Sequence, residues 1–156
     1  AEGDTWFYSQ PHAVAEVAAN LERNHDRPAV ATCRATAAVG DAFDLMAGLD
    51  EAGARYDVVV VDPPSFASKQ ADVPRALGAY RRLTTLALPL LVPGGVLVQS
   101  SCSSRVPADD LFAAVHQAAV GAGRPLQEIE RTTHGDDHPV GFRQGAYLKT
   151  LFARTG

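Results

Sequence analysis

Cys102 is the residue of this sequence best suited to covalent chemistry. It stands in the polar run Ser100-Ser101-Cys102-Ser103-Ser104-Arg105, past an apolar stretch and not within one. A free cysteine is most often a small core hydrophobe, but this setting places the thiol where a substrate can reach it. As a thiolate it would split one difficult step into two easier ones, and its surroundings must then favour the thiolate. Arg105 would do so by charge, and the N-terminus of a helix opening near Pro107 by its dipole. Asp62 is the second candidate. It ends the run Val58-Val59-Val60-Val61 and precedes Pro63-Pro64, whose rings stiffen the loop. Asp-Pro-Pro also terminates strands in proteins at large, and it is the presence of Cys102 at a second strand end that favours function. Asp41, in Gly40-Asp41-Ala42-Phe43, can cap a helix and still offer its other carboxylate oxygen to a ligand.

These residues need elements to hold them, and the pattern supplies an alternation of strands and helices. Ala13, Val14, Val17, Ala18 and Leu21 recur at helical spacing over Pro11 to Asn24. Ala29 to Ala38 reads as a weak strand around Ala31-Thr32-Cys33, with Cys33 as packing, followed by a short helix to about Ala54. The four valines of 58–61 do not alternate with polar residues, which predicts a central parallel strand buried on both faces. A helix is expected over Val73 to Leu91, stopped by Pro93-Gly94-Gly95, then a strand over Val96 to Ser100 and a helix over Pro107 to Val120. Two last strands, Leu126 to Thr132 and Ala146 to Phe152, are joined without a helix and should pair antiparallel. His134 and His138 in their connection either act in catalysis or order the loop, and the second is preferred. The whole of 1–156 reads as one α/β domain, an open Rossmann-like sheet ending in an antiparallel hairpin. In such sheets ligands collect beyond the carboxyl ends of the strands, and Asp41, Asp62 and Cys102 all sit at such ends.

Composition narrows the function classes. The hydrophobic fraction is 46% and the charged fraction 21%, ordinary for a globular domain. Apolar runs stop short of the roughly 18 residues a span requires, and no leader pattern opens the chain, so a cytoplasmic protein off the membrane is expected. A net charge of −4 gives no basic excess, so an RNA partner would be held by a local patch or by another module. Cys33 and Cys102 match no metal-ligand spacing, and no metal site is expected.

The motifs, taken in order, resemble one family. Val58 to Phe66, VVVVDPPSF, resembles motif IV of the DPPxF methyltransferases of large-subunit ribosomal RNA. Pro93 to Ser104, PGGVLVQSSCSS, resembles motif VI of the cytosine-5 branch, in which a Cys follows the strand. Asn20, Gly40 to Phe43, His138-Pro139 and Tyr147-Leu148-Lys149 follow the same order, so the likeness runs from about Pro11 onward. The resemblance implies a class I, S-adenosylmethionine-dependent enzyme that methylates C5 of a cytosine in ribosomal RNA through a Cys102 adduct. It implies that Asp41, Ala42 and Phe43 line the adenine, and that Asp62 and Pro63 lie beside the methyl donor. Asp62 would also touch the N3 or exocyclic edge of the base. Pro64, Ser65, Phe66, Lys69 and Arg105 would face the RNA, with Phe66 stacking on or walling the base. Lys69, Arg75, Arg81 and Arg82 equally suit a solvated surface.

The sequence departs from the family at its start. The first strand and its glycine-rich turn, which hold the methionine part of the cofactor, are expected before Asp4 and do not appear. Nor does the acidic residue that should bind the ribose, whose place falls near Tyr8. Trp6-Phe7-Tyr8 is either unrelated sequence or a poor second strand. The expectation is therefore an N-terminally truncated sheet with an apolar edge beside Val58, open to a partner or to a second copy as a homodimer. The group that removes the C5 proton stays unassigned, since Ser65 stands where two-cysteine relatives carry a second Cys. Two other readings compete: a DPPxF enzyme acting on guanine or another substrate, with Cys102 incidental, and a non-catalytic remnant that binds a protein.

Overall fold

In a computed structural model, the residues described are 4–8, 11–135, 137, 139–142, 145 and 147–156, with Phe7 and Tyr8 as backbone only. The expectation for His138 lies outside them. By its internal contacts the chain divides into two units, Ala1–Ala54 and Arg55–Gly156.

In the first unit, strand β1 (Asp4–Tyr8) pairs in parallel with β2 (Ala35–Val39), in register from Asp4 opposite Ala35 to Tyr8 opposite Val39. Trp6-Phe7-Tyr8 thus belongs to a strand. The crossover runs through α1 (Pro11–Arg23), whose Ala13, Val14, Val17 and Leu21 are half-buried, and through the short α2 (Pro28–Ala31). That turn corrects the strand expected around Cys33. Pro28 suits the first turn of a helix, and Thr32 Oγ1 donates to the Pro28 carbonyl at 2.9 Å. The strand therefore starts only at Ala35. Cys33 is half-buried beyond it, and its thiol donates to Asp4 Oδ2 at 3.2 Å. That bond is the main reason the thiol is held above its usual range. Helix α3 (Ala42–Glu51) follows β2 and ends at Gly53, whose φ of 73° closes the helix in the left-handed conformation glycine adopts freely.

The second unit is a four-stranded sheet in the order β3-β4-β6-β5, made of β3 (Tyr56–Val61), β4 (Leu91–Ser101), β5 (Leu126–Thr132) and β6 (Lys149–Thr155). β3 and β4 are parallel, and β6 runs antiparallel to both β4 and β5. Helices α4 (Val73–Ala87) and α5 (Ala108–Gly121) pack on one face. The core there comprises Tyr80, Leu83, Ala87, Leu97, Leu111, Val115, Leu151 and Ala153, all buried.

Three expectations change here. β3 is an end strand of this sheet, and Val58 and Val60 are 52% and 63% exposed while Val61 is buried, so one face of the valine run is covered and not both. α4 stops at Ala87 because Pro89, lacking an N–H, turns the chain into a short 3-10 segment at Leu88–Leu90. β4 accordingly begins at Leu91, with an irregular step between Tyr56 opposite Leu91 and Val58 opposite Val96. Gly95 sits in that step, where a Cβ would come within 2.9 Å of the Val92 carbonyl and 3.2 Å of the Asp57 carbonyl. Finally, β6 starts at Lys149, after Tyr147 and Leu148; the expected start at Ala146 lies outside the described residues. His134 Nε2 accepts the backbone N–H groups of Tyr147 (3.2 Å) and Leu148 (3.1 Å), so these residues are taken by the loop. His134 also stacks edge-on against Tyr147, at 4.6 Å, in keeping with its reading as a loop-ordering residue.

Candidate active site

A buried polar chain leads from the helical layer to the end of β4. Gln99 donates to the Tyr80 carbonyl (3.2 Å) and accepts from Thr84 Oγ1 (2.8 Å). Two residues on, the Tyr80 hydroxyl and Ser101 Oγ lie 2.7 Å apart. Buried groups of this kind must be satisfied internally, and here the satisfaction fixes the last turn of the strand. Cys102 follows, half-buried between the buried Ser101 and Ser103. The Ser103 N–H donates to Ser101 Oγ (3.2 Å), and the Arg105 N–H to Ser103 Oγ (3.4 Å). The thiol thus rides on a bracket of serine hydroxyls.

The loop after β3 joins the same bracket. Ser65 Oγ and Ser103 Oγ both donate to the Ala67 carbonyl, each at 3.3 Å. The Phe66 ring tilts against Tyr80 with centroids 5.2 Å apart, so this aromatic is anchored to the core and only half-buried. Asp62, Pro64 and Ser65 are exposed and Pro63 is half-buried. Burial pushes the Tyr80 hydroxyl up, the Ser101 bond pulls it down, and negative charge on Cys102 and Asp62 adds to the rise. Tyr80 therefore lies within electrostatic reach of both.

From β6, Lys149 reaches the loop that carries Cys102. It is 4% exposed and is the register partner of Ser101. Its ammonium donates to the Ser103 carbonyl and, at 3.0 Å, to the Tyr147 carbonyl. Burial pushes this amine down, with charge on Cys102 acting in the opposite sense.

The structure thus brings together the loops of Asp62, Pro63, Pro64, Ser65 and Phe66 with Cys102 and the backbone of Arg105. The Arg105 side chain and Lys69 are exposed. Asp41, Ala42 and Phe43 belong to the first unit, where Asp41 Oδ1 accepts the Phe43 N–H at 2.9 Å and caps α3. Of the residues around Cys102, Tyr80 has no part in the sequence motifs, and Ser101 and Lys149 stand in them without a role of their own. Tyr80 shows only as one member of the stripe Val73, Ala76, Tyr80, Leu83, Ala87, and Lys149 as a lone cation in the apolar run Leu148 to Phe152. Among the described residues no group of three His, Cys, Asp or Glu side chains is placed to hold a metal ion, and no helix is long and apolar enough to cross a membrane.

SMU.776, described as a methyltransferase and solved with SAH, superposes on 99% of this chain and 39% of its own, with a TM-score of 0.81 at 20% identity. NodS of Bradyrhizobium japonicum, an N-methyltransferase solved with S-adenosyl-L-homocysteine, gives a TM-score of 0.61 at 16% identity over 97% of this chain and 65% of its own. The fold is that of the class I methyltransferases. Its Rossmann-like sheet puts both the Asp62 and the Cys102 loops at carboxyl ends of neighbouring parallel strands, with the reversed β6 beside them. In sequence the chain is 43% identical over 116 residues to Ribosomal RNA large subunit methyltransferase I of Shewanella amazonensis, covering 73% of this chain and 29% of that one. It is 38% identical over 112 residues to a ribosomal RNA large subunit methyltransferase of Deinococcus radiodurans, covering 72% and 28%. The chain thus matches less than a third of the length of these curated relatives. No family model matches it.

Proposed function

We propose that this chain is the catalytic part of an S-adenosylmethionine-dependent methyltransferase that methylates C5 of a cytosine in large-subunit ribosomal RNA, with Cys102 as nucleophile. The observation that carries the reading is the meeting of the Asp62 and Cys102 loops on the Ala67 carbonyl, at the ends of two adjacent parallel strands. The names of the ribosomal RNA methyltransferases that resemble the chain support the substrate class.

S-adenosylmethionine, when bound, supplies an electrophilic methyl group. By the resemblance, Asp41, whose Oδ1 is spent on its cap, would offer its second oxygen to an adenine amino group, beside Ala42 and Phe43. Asp62 and Pro63 would border the methyl-bearing end. Toward the RNA, the Cys102 thiolate forms a bond from sulfur to C6 of the cytosine, and the C5=C6 π electrons move to C5, which becomes nucleophilic. Asp62 holds the N3 or exocyclic edge of the base and favours the protonated adduct. Once C5 carries the methyl group, a base takes the C5 proton, the C5=C6 bond re-forms, and the S–C6 electrons return to sulfur. Phe66, braced by Tyr80, walls the base, while Pro64, Ser65, Lys69 and Arg105 face the RNA strand.

The test is RNA carrying 5-fluorocytosine at the target position, incubated with the protein and S-adenosylmethionine. Fluorine cannot leave as the proton does, so a stable adduct through Cys102 is expected, absent in Cys102→Ala. Methylation that persists in Cys102→Ala would sink this reading and favour a DPPxF enzyme acting elsewhere.

A further inference from the structure

Lysine is among the side chains least often fully buried, and stripping an ammonium of water is costly unless it is paired. Lys149 is nevertheless 4% exposed, on the first residue of β6. It faces no carboxylate in an ion pair among the described residues. Its recorded partners are two carbonyl oxygens, of Ser103 and Tyr147, which use two of its three N–H donors. The Ser103 carbonyl belongs to the loop of the candidate nucleophile: Ser103 follows Cys102, and Ser101, which precedes it, lies directly across the ladder from Lys149. A Met or Leu would fill this place at lower cost if packing alone were needed. The groups that bear on Cys102 from the elements around it are Tyr80 on α4 and Lys149 on β6, with Asp62 after β3 acting on Tyr80 and exposed Arg105 further along the Cys102 loop. Lys149 is the buried cation of that set.

We propose that Lys149 is a positioning residue for Cys102: through the Ser103 carbonyl it fixes the loop that carries the thiol, and its ammonium sets a positive potential at the sulfur. The proposal rests on the reading of Cys102 as nucleophile. In that reaction the sulfur bears negative charge before it attacks C6 and again when it is expelled, and a fixed cation favours both states.

The test needs neither RNA nor cofactor. Alkylation of Cys102 is followed by peptide-resolved mass spectrometry with neutral iodoacetamide and with anionic iodoacetate, Cys33 serving as internal reference. Both reagents require the thiolate, so their rate ratio reports the potential at the sulfur and not its ionisation. Lys149→Met is expected to lower the iodoacetate-to-iodoacetamide ratio at Cys102 about 5-fold, the scale of one screened unit charge. The ratio at Cys33 should stay constant, and Lys149→Arg should restore most of the loss at Cys102. Should Lys149→Met not fold, Lys149→Gln, which keeps a donor but no charge, carries the same comparison. An unchanged ratio in a folded neutral variant, including one in which both rates move in parallel, would overturn the proposal. An unchanged ratio together with a 5-fluorocytosine adduct would remove Lys149 from the mechanism while leaving Cys102 in it. A lowered ratio with no adduct would leave the potential in place and remove the nucleophile.

Discussion

At the scale of single residues, a tyrosine hydroxyl ties the candidate site to the core. Tyr80 is fully buried, and its bond to Ser101 Oγ is the link between the α4 core and the serine bracket around Cys102. Removing that hydroxyl leaves Ser101 with the Ser103 N–H as its remaining partner and no route to water. Tyr80→Phe is therefore expected to lower stability by about 1 kcal/mol, seen as a lower urea midpoint with an unchanged slope. A Tyr80→Phe variant as stable as the parent would show that the bracket stands without this link. Cys102 and Asp62 were legible in the sequence because polar residues interrupt apolar strands there. Lys149 was not, because a lysine at a strand start is ordinarily solvated, and only its burial and its bond to the Ser103 carbonyl show it turned inward.

At the scale of elements, β5 is clasped to α5 by charge. Glu128 accepts two bonds from Arg131, at 2.8 and 2.6 Å, and faces His116 Nε2 at 2.7 Å. Arg131 in turn lies over the Phe112 ring at 4.6 Å. The Arg131 guanidinium, helped by His116, holds the Glu128 carboxyl at about 2, down from 4.5. A carboxylate with a depressed folded pKa stabilises the fold fully above 4.5 and loses that contribution as the pH falls towards about 2. Glu128→Gln should therefore flatten the loss of stability across that window in a pH series of thermal melts, while leaving the slope near neutrality alone. An identical acid profile in the variant would show the clasp to be without weight, as exposed pairs often are. The elements themselves were mostly readable, since α1, β3, α5 and β5 fall within a residue or two of their apolar patterns. The misplacements have local causes: Pro28 turned an expected strand into a helical turn, Pro89 ended α4 early, and His134 withheld two backbone donors from β6.

At the scale of the whole molecule, the sheet of the second unit carries helices on one face, and the other shows the exposed Val58 and Val60 beside the half-buried Val96, Val98 and Phe152. An end strand with apolar side chains is a template for further pairing, and a net charge of −4 is small opposition to it. Sedimentation should show concentration-dependent self-association, and Val60→Lys should return the protein to monomer. A parent protein monomeric across the concentration range would dismiss the idea. The end position of β3 was not legible in its residues, since a strand of four valines also suits full burial, and only the sheet order separates the two. One further consequence attaches to the Ala67 carbonyl. Because it accepts hydroxyls from Ser65 and Ser103 alike, the two loops share a single mechanical joint. A residue inserted between Val61 and Ala67 would not stay local: it would re-aim the thiol some forty positions downstream in the chain, so the two motifs behave as one heritable part, free to vary in sequence but not independently in length.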